Sequence, residues 1–406
     1  MRSSSMIESG GRQFWLATLA LCIGSFMTFA NVYITQPLLP MIADAFDLTV
    51  LEANGSFTIT TLMLGLSLLI YGPLSDAVGR KSIMLISLVG ATVCTLLLTQ
   101  VESYSALVAL RAAQGFFLGG LPAVAIAYMG DEFSPKALLF AVGLYIGGNS
   151  LGGIGGRLIG GFVGEAFSWR SAFVAMTIVS VLCLIVFALM LPNSRGFTRK
   201  PLCPRQMLAD LGGHLRNPIL LTCYLIGGLN FFIFINQYSY IIFVLEDAPF
   251  NLSAQYLGLL FLTYLAGTVG SSLSGKIVLK VPQPLCIALG VAILMSGTLL
   301  TLAQTLPTII VGLLINSFGF FLAHSSASSL VNRSARGAKA SASSLYLVFY
   351  YLGASSGGFY LHPFWSAMGW DGVVLGSMLV LTGVLGAAIW LYRQECEPVG
   401  EPDVCV

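Results

Sequence analysis

Long apolar runs, most of them at or above the ~20 residues a helix needs to cross a hydrocarbon core, alternate along this chain with short polar or Pro/Gly-rich breaks. Six such runs lie near 14–43, 51–73, 82–101, 104–130, 137–163 and 168–191. A polar segment, Pro192 to Asn217, separates them from six more near 218–244, 254–278, 283–304, 307–331, 340–361 and 372–392. The pattern predicts an all-α polytopic membrane protein with twelve transmembrane helices in two pseudo-symmetric six-helix bundles. The expected organisation is an N-terminal bundle over 1–191, a cytoplasmic central loop over 192–217, a C-terminal bundle over 218–393 and an acidic cytoplasmic tail over 394–406. The first run is too long for the apolar stretch of a signal peptide and lacks a small-residue cleavage site, so it is expected to remain as a helix.

Charge placement orients the set. With the N-terminus cytoplasmic, 16 of the 19 Lys and Arg fall in inner segments, whereas the outer loops hold carboxylates such as Asp47, Glu102, Glu165 and Asp247. Cytoplasmic loops of membrane proteins carry this excess of cations, so both termini are expected inside. Composition agrees: 56% of the 406 residues are hydrophobic and 9% charged, against about 25% charged in soluble domains. This excludes a cytosolic enzyme, a nucleic-acid binder and a disordered chain. The eight cysteines form no CxxC pair and sit mostly in apolar runs, which argues against a disulfide framework or a metal site. No cofactor is expected, and no P-loop appears.

The two halves echo one another. Gly143-Leu144-Tyr145 with Gly152 and Gly156 in the fifth run is matched, at a constant offset of 201, by Ser344-Leu345-Tyr346 with Gly353 and Gly357 in the eleventh. Gly115-Phe116-Phe117-Leu118 is likewise repeated as Gly319-Phe320-Phe321-Leu322. Many secondary transporters are built from such repeats, with the substrate site between them.

Between the second and third runs stands Gly72-Pro73-Leu74-Ser75-Asp76-Ala77-Val78-Gly79-Arg80-Lys81. A tight turn is expected here: Gly79 tolerates positive φ, and Asp76 can cap a helix or pair with a cation. The fourth run contains Arg111-Ala112-Ala113-Gln114-Gly115. An arginine at membrane depth costs at least ~2.5 kcal/mol, so Arg111 either meets a polar path shared with Gln114 or snorkels to the surface. The fifth run reads Gly152-Gly153-Ile154-Gly155-Gly156-Arg157-Leu158-Ile159-Gly160-Gly161, a small-residue face for close helix approach interrupted by a second intramembrane cation. The first run ends Pro37-Leu38-Leu39-Pro40.

These segments resemble the signature motifs of the major facilitator superfamily: G-x-L-[SA]-D-x-x-G-R-[KR], R-x-x-Q-G, G-x-x-x-G-P-x-x-G-G and P-x-x-P. Arg157 stands where the third motif, which marks the antiporter branch, has proline. The resemblance implies a cytoplasmic gate latched by Gly72, Asp76, Gly79 and Arg80, with Asp131 or Glu132 as the acid facing Arg80. A purely topogenic turn is the alternative. The arginine at Arg111's position is assigned to proton coupling in drug:proton antiporters. Stretches such as Gly143-Leu-Tyr-Ile-Gly-Gly-Asn-Ser150 and Ala340-Ser-Ala-Ser-Ser-Leu-Tyr346 look like the YnfM-type branch, inner-membrane efflux proteins, a resemblance that spans nearly the whole chain and implies a bacterial plasma membrane.

Polar residues collect on spans one, four, five, seven, ten and eleven, which line the central cavity in that family. The substrate-binding candidates are Asn31, Tyr33, Gln36, Tyr145, Asn149, Arg157, Asn230, Phe234, Gln237, Tyr346 and Tyr350, of which each Tyr or Asn is as readily interhelical hydrogen-bonding glue. His324 in span ten is either a hydrogen-bonded neutral imidazole or part of a proton relay, and Asp44 joins the proton-coupling set if it reaches inward. No carboxylate falls at mid-membrane, so two buried arginines suggest a cavity suited to neutral or anionic solutes. The reading is a proton-coupled efflux antiporter of small organic compounds such as drugs, sugars or metabolites, working as a monomer by alternating access. Its partners are a small-molecule substrate, protons and the lipid bilayer, with no nucleic acid. An uptake symporter or uniporter on the same fold and, from another class, a non-transporting membrane sensor or scaffold are the alternatives. The absence of HExxH, Ser/His/Asp or paired intramembrane carboxylates argues against an enzyme.

Overall fold

The computed structural model describes residues 6–194, 196, 197, 199, 204–278, 280–303, 305–335 and 339–396. Arg195, Lys200 and Arg336, which count among the inner cations, Cys203, which counts among the eight cysteines, and the tail beyond Cys396 lie outside them. Helices α1 (Arg12–Tyr33), α2 (Leu39–Phe46), α3 (Val50–Val78), α4 (Arg80–Leu98), α5 (Tyr104–Leu118), α6 (Gly120–Glu132), α7 (Pro135–Ala166) and α8 (Trp169–Met190) carry the first six runs. Helix α9 (Pro204–Leu215) lies in the central segment. Then follow α10 (Pro218–Glu246), α11 (Ala254–Leu260), α12 (Tyr264–Ile277), α13 (Gln283–Leu300), α14 (Leu306–Ser334) and α15 (Lys339–Cys396).

Eleven segments among the described residues are long and apolar enough to cross a membrane, and the last of these, Ser341–Gln394, is 54 residues long. It contains Pro363 and a non-helical Gly369 at φ 58°, ψ −137°, and so has the length of two spans. That agrees with the twelve expected.

Three departures from the sequence pattern have local causes. The first run is broken: α1 stops at Tyr33, a 3₁₀ turn covers Gln36–Leu38 with Pro37 inside it, and α2 restarts with Pro40 in its first turn. A proline without an N–H is tolerated only there or at a break. Helix α3 runs through Pro73 to Val78, so the expected multi-residue turn shrinks to Gly79 alone at φ 127°. Helices α5 and α6 meet at Gly119, and a 3₁₀ turn over Phe261–Thr263 divides α11 from α12.

The chain forms two compact units. Unit 1 comprises Met1–Leu208, Ile235–Leu262 and Tyr351–Pro363; unit 2 comprises Ala209–Phe234, Thr263–Tyr350 and Phe364–Val406. Within unit 1, α1 and α7 pack backbone to backbone. A Cβ at Gly148, Gly152, Gly156 or Gly160 would fall into main-chain atoms of Cys22, Phe26, Ala30 or Ile34. Four-residue spacing puts these glycines on one face, which allows the close approach typical of membrane helices. Unit 2 has its own seam, where Gly290, Gly297, Gly312 and Gly319 bring α13 against α14. On α4 and α8, Ile86, Val89, Val93, Ile178, Leu182 and Ile185 are exposed. An apolar stripe of that size requires hydrocarbon as its solvent.

Candidate functional site

Two buried guanidinium groups organise unit 1. Arg111 is 0% exposed and spends its donors on neutral acceptors. Nη1 donates to Asn31 O at 2.9 Å and Gln114 Oε1 at 2.5 Å; Nη2 donates to Val32 O at 3.0 Å and Thr35 Oγ1 at 3.2 Å; Nε reaches Ser56 O at 3.4 Å. The carbonyls of Asn31 and Val32 belong to the last turn of α1, where helix carbonyls lose their intrahelical partners and carry partial negative charge. Arg111 therefore supplies the donors that the break in α1 leaves wanting. Snorkelling is not what the structure shows.

The network extends through amides and hydroxyls. Gln114 Nε2 donates to Asn31 Oδ1 at 3.1 Å and Thr95 Oγ1 at 2.8 Å, Thr95 Oγ1 to Asn31 Oδ1 at 2.7 Å, and Asn31 Nδ2 to Ser180 Oγ at 2.9 Å. It joins α1, α3, α4, α5 and α8. Ser56, Thr95 and Ser180 were not among the residues picked from sequence. A lone hydroxyl residue in an apolar run reads as packing until its partner across the helix gap is known.

Arg157, 1% exposed, holds the second site. Its Nε and Nη2 both donate to Gln36 Oε1, at 2.8 and 2.6 Å, and Nη1 donates to Gly153 O at 2.9 Å. The guanidinium carbon lies 4.0 Å from the Tyr33 ring centre and 4.2 Å from that of Phe261, within cation–π range. Gln36 Nε2 passes the chain on to Ser239 Oγ at 3.3 Å. Also within unit 1, Asn54 donates to Asn236 at 3.3 Å and Tyr240 Oη to Gly358 O at 3.0 Å. Asn54, Asn236 and Phe261 also escaped sequence reasoning.

At the other end of these helices, Arg80 bonds Asp76 at 2.5 Å and Asp131 at 3.0 Å, with Ser75 Oγ at 2.7 Å. Of the two acids proposed for Arg80, Asp131 is in contact; Glu132 accepts from the Gly196 N–H at 2.9 Å. Gly72 lies in α3, and Gly79 forms the joint to α4. Asp44 is exposed on α2, apart from the Arg111 network. Tyr145 is buried, and the half-buried Asn149 accepts from Ser25 Oγ. An apolar groove of about 420 Å³ between α1 and α7, lined by Ile23, Phe26 and Leu144 among others, has none of the polar candidates on its wall.

Unit 2 gathers rings rather than charges. Phe234 stacks on Phe320 with centroids 3.9 Å apart, and Phe231 on Tyr350 at 3.7 Å. The half-buried His324 lies 4.8 Å from Tyr350, and its Nδ1 is 3.0 Å from the Tyr346 hydroxyl. Asn230 is 1% exposed on α10 of this unit, whereas Gln237, also 1% exposed on α10, belongs to unit 1. Among the described residues no cluster of His, Cys, Asp or Glu is placed to hold a metal, and five cysteines are free thiols.

A family model described as Major Facilitator Superfamily matches residues 21–358. The chain is 37% identical to the uncharacterized MFS-type transporter YybF of Bacillus subtilis, over 98% of this chain and 97% of that one. It is 38% identical to the inner membrane transport protein YnfM of Escherichia coli, over 95% and 93%. The crystal structure of the nucleoside transporter NupG (D323A mutant) superposes with a TM-score of 0.74 at 13% identity, covering 92% and 99%.

Proposed function

Because the chain belongs to the major facilitator superfamily, and is thus a multi-pass membrane transporter rather than an enzyme, we propose that it exports small organic compounds from a bacterial cytoplasm in exchange for protons. The observation that carries this reading is the Arg111 network. A buried cation surrounded only by amides, carbonyls and hydroxyls, at the point where α1 breaks, ties the local charge balance to the helix geometry. A proton or solute that competes for Gln114 or Asn31 changes how well the α1 carbonyls are held, and so favours one arrangement of α1 over another. With both termini cytoplasmic and six spans in each half, the Arg80–Asp76–Asp131 cluster sits at the inner gate. The Gln36–Ser239 and Asn54–Asn236 contacts then seal the outer side, and each cycle parts one set while the other holds.

The test is proton movement in everted vesicles carrying an imposed pH gradient. A substrate that dissipates the gradient with the wild type, and fails to do so with Arg111→Ala at equal expression, supports antiport. Solute flux that runs unchanged without a gradient overturns it in favour of uniport. One observation favours uptake symport as the second reading: α7 continues as helix through Arg157, the position at which the antiporter motif has a proline. Flux resolved by direction separates the two.

A further inference from the structure

Asn230 is buried to 1% exposure, and neither its Oδ1 nor its Nδ2 has a hydrogen-bond partner. Buried carboxamides in native proteins are bonded, and an orphan points to a missing ligand, water or rearrangement. Both atoms being orphaned means that an acceptor and two donors are withheld from water together.

Its surroundings on α10 are specific. One turn earlier, Gly227 lies so close to the Tyr346 ring that a Cβ would overlap it. One turn later, Phe234 lies parallel to Phe320, with 5° between the ring planes at 3.9 Å. The adjacent Phe231 lies parallel to Tyr350, 12° between planes at 3.7 Å, and His324 is stacked at 13° on Phe320. Asn230 thus stands on α10 next to Phe231 and one turn before Phe234, both of which belong to parallel ring pairs at stacking distance, the arrangement in which a flat ring of a ligand is interchangeable with a ring of the protein.

Charge narrows the ligand further. Between the ends of its spans, the described part of unit 2 contains no Lys, Arg, Asp or Glu. A charged solute beside Asn230 would be desolvated without a counter-charge.

We propose that Asn230 and the rings around it form a recognition site for neutral, planar aromatic solutes carrying a donor and an acceptor side by side, as an amide or lactam does. This proposal rests on the transport reading for the solute's route, and not for its binding. Interhelical glue does not account for Asn230, because glue residues are bonded. Asn31 in unit 1, the same side chain in a similar setting, has both polar atoms occupied.

Binding to the purified full chain in lipid nanodiscs tests the proposal, with benzamide, acetophenone, cyclohexanecarboxamide and benzoate as probes. Benzamide is expected to bind at least tenfold tighter than the other three, which lack the donor, the ring or the neutral charge. Asn230→Leu is expected to weaken benzamide at least tenfold, while Tyr224→Phe, which removes another orphaned buried hydroxyl of α10, leaves it unchanged. Equal binding of cyclohexanecarboxamide or benzoate, or unchanged binding to Asn230→Leu, overturns the site. If Asn230→Leu does not fold, the probe series on the wild type decides alone. Benzamide binding that depends on Asn230 without any solute flux in proteoliposomes keeps the site and removes the transport reading. Solute flux with benzamide binding indifferent to Asn230 does the reverse.

Discussion

Asn31 and Asn230 occupy the first spans of the two sequence repeats, both buried, and they stand in opposite conditions. Asn31 donates to Met27 O and Ser180 Oγ and accepts from Thr95 and Gln114, whereas Asn230 has no partner. The difference follows from what lies beside each. Arg111 brings a charge that membrane burial tolerates only inside a complete shell of acceptors, and building that shell fixes Gln114, Thr95 and Asn31 as a by-product. Around the corresponding span of the repeat, unit 2 has rings, which pack without demanding hydrogen bonds, so the amide on that span is left open. On the readings proposed above, the contrast assigns coupling, which needs a defined charge, to unit 1, and recognition, which needs an open polar edge, to unit 2.

The largest effect that bears on this contrast is expected at Arg111. Arg111→Lys keeps the charge but replaces a five-donor fork by a point cation, stranding the α1 carbonyls and Thr35. A loss of about 3 kcal/mol is expected, several buried acceptors losing their donors together. In unit 2, His324→Phe removes one bond to Tyr346 and is expected to cost about 1 kcal/mol. Unfolding midpoints in detergent measure both; equal losses would break the contrast.

A smaller effect asks whether the units differ in packing as well as polarity. Gly156→Val drives side-chain atoms into the Ala30 main chain, and Gly319→Val into that of Leu294 and Gly290. Overpacking of this kind costs about 2 kcal/mol, and the two are expected to cost alike. Gly147→Val, on α7 where a Cβ meets nothing within 4 Å, serves as the near-neutral reference. If only Gly156→Val is costly, the α13–α14 seam is looser than its backbone contacts indicate, and packing joins polarity in separating the units.

The helices and the family were legible in the sequence because apolar length and a few turn-bound motifs carry them. The Arg80 cluster was half legible: the motif gave Asp76 and Arg80, while the choice between Asp131 and Glu132 needed the geometry at the end of α6. The break in α1 was written in Pro37 and Pro40 but hidden by an unbroken apolar pattern, since a helix end inside a membrane protein keeps its apolar surface while its carbonyls turn to an internal donor. The partners of Arg111 were least legible. Ser56, Thr95 and Ser180 are single hydroxyls on three different spans, and no spacing along the chain says which of many serines and threonines face the same point.

The finest test removes one buried hydroxyl from each unit. Thr95 Oγ1 accepts from Gln114 and donates to Asn31, so Thr95→Val strands an amide on either side and is expected to destabilise by about 1–2 kcal/mol. Tyr224 Oη is buried without a partner beside Phe349, whose ring centre lies 5.6 Å away. Tyr224→Phe deletes an atom desolvated to no purpose, so stability is expected to hold or rise by up to about 1 kcal/mol. The two substitutions remove the same group, and the sign of the shift in unfolding midpoint separates them. A fall in both would mean that α10 satisfies its polar atoms as the Arg111 network does, through water or a small rearrangement, and that the Asn230 amide is open only in this arrangement of the rings. A rise at Tyr224 alone would mean that the orphaned groups of α10 persist in the folded protein, the condition under which a solute gains by bonding to one of them.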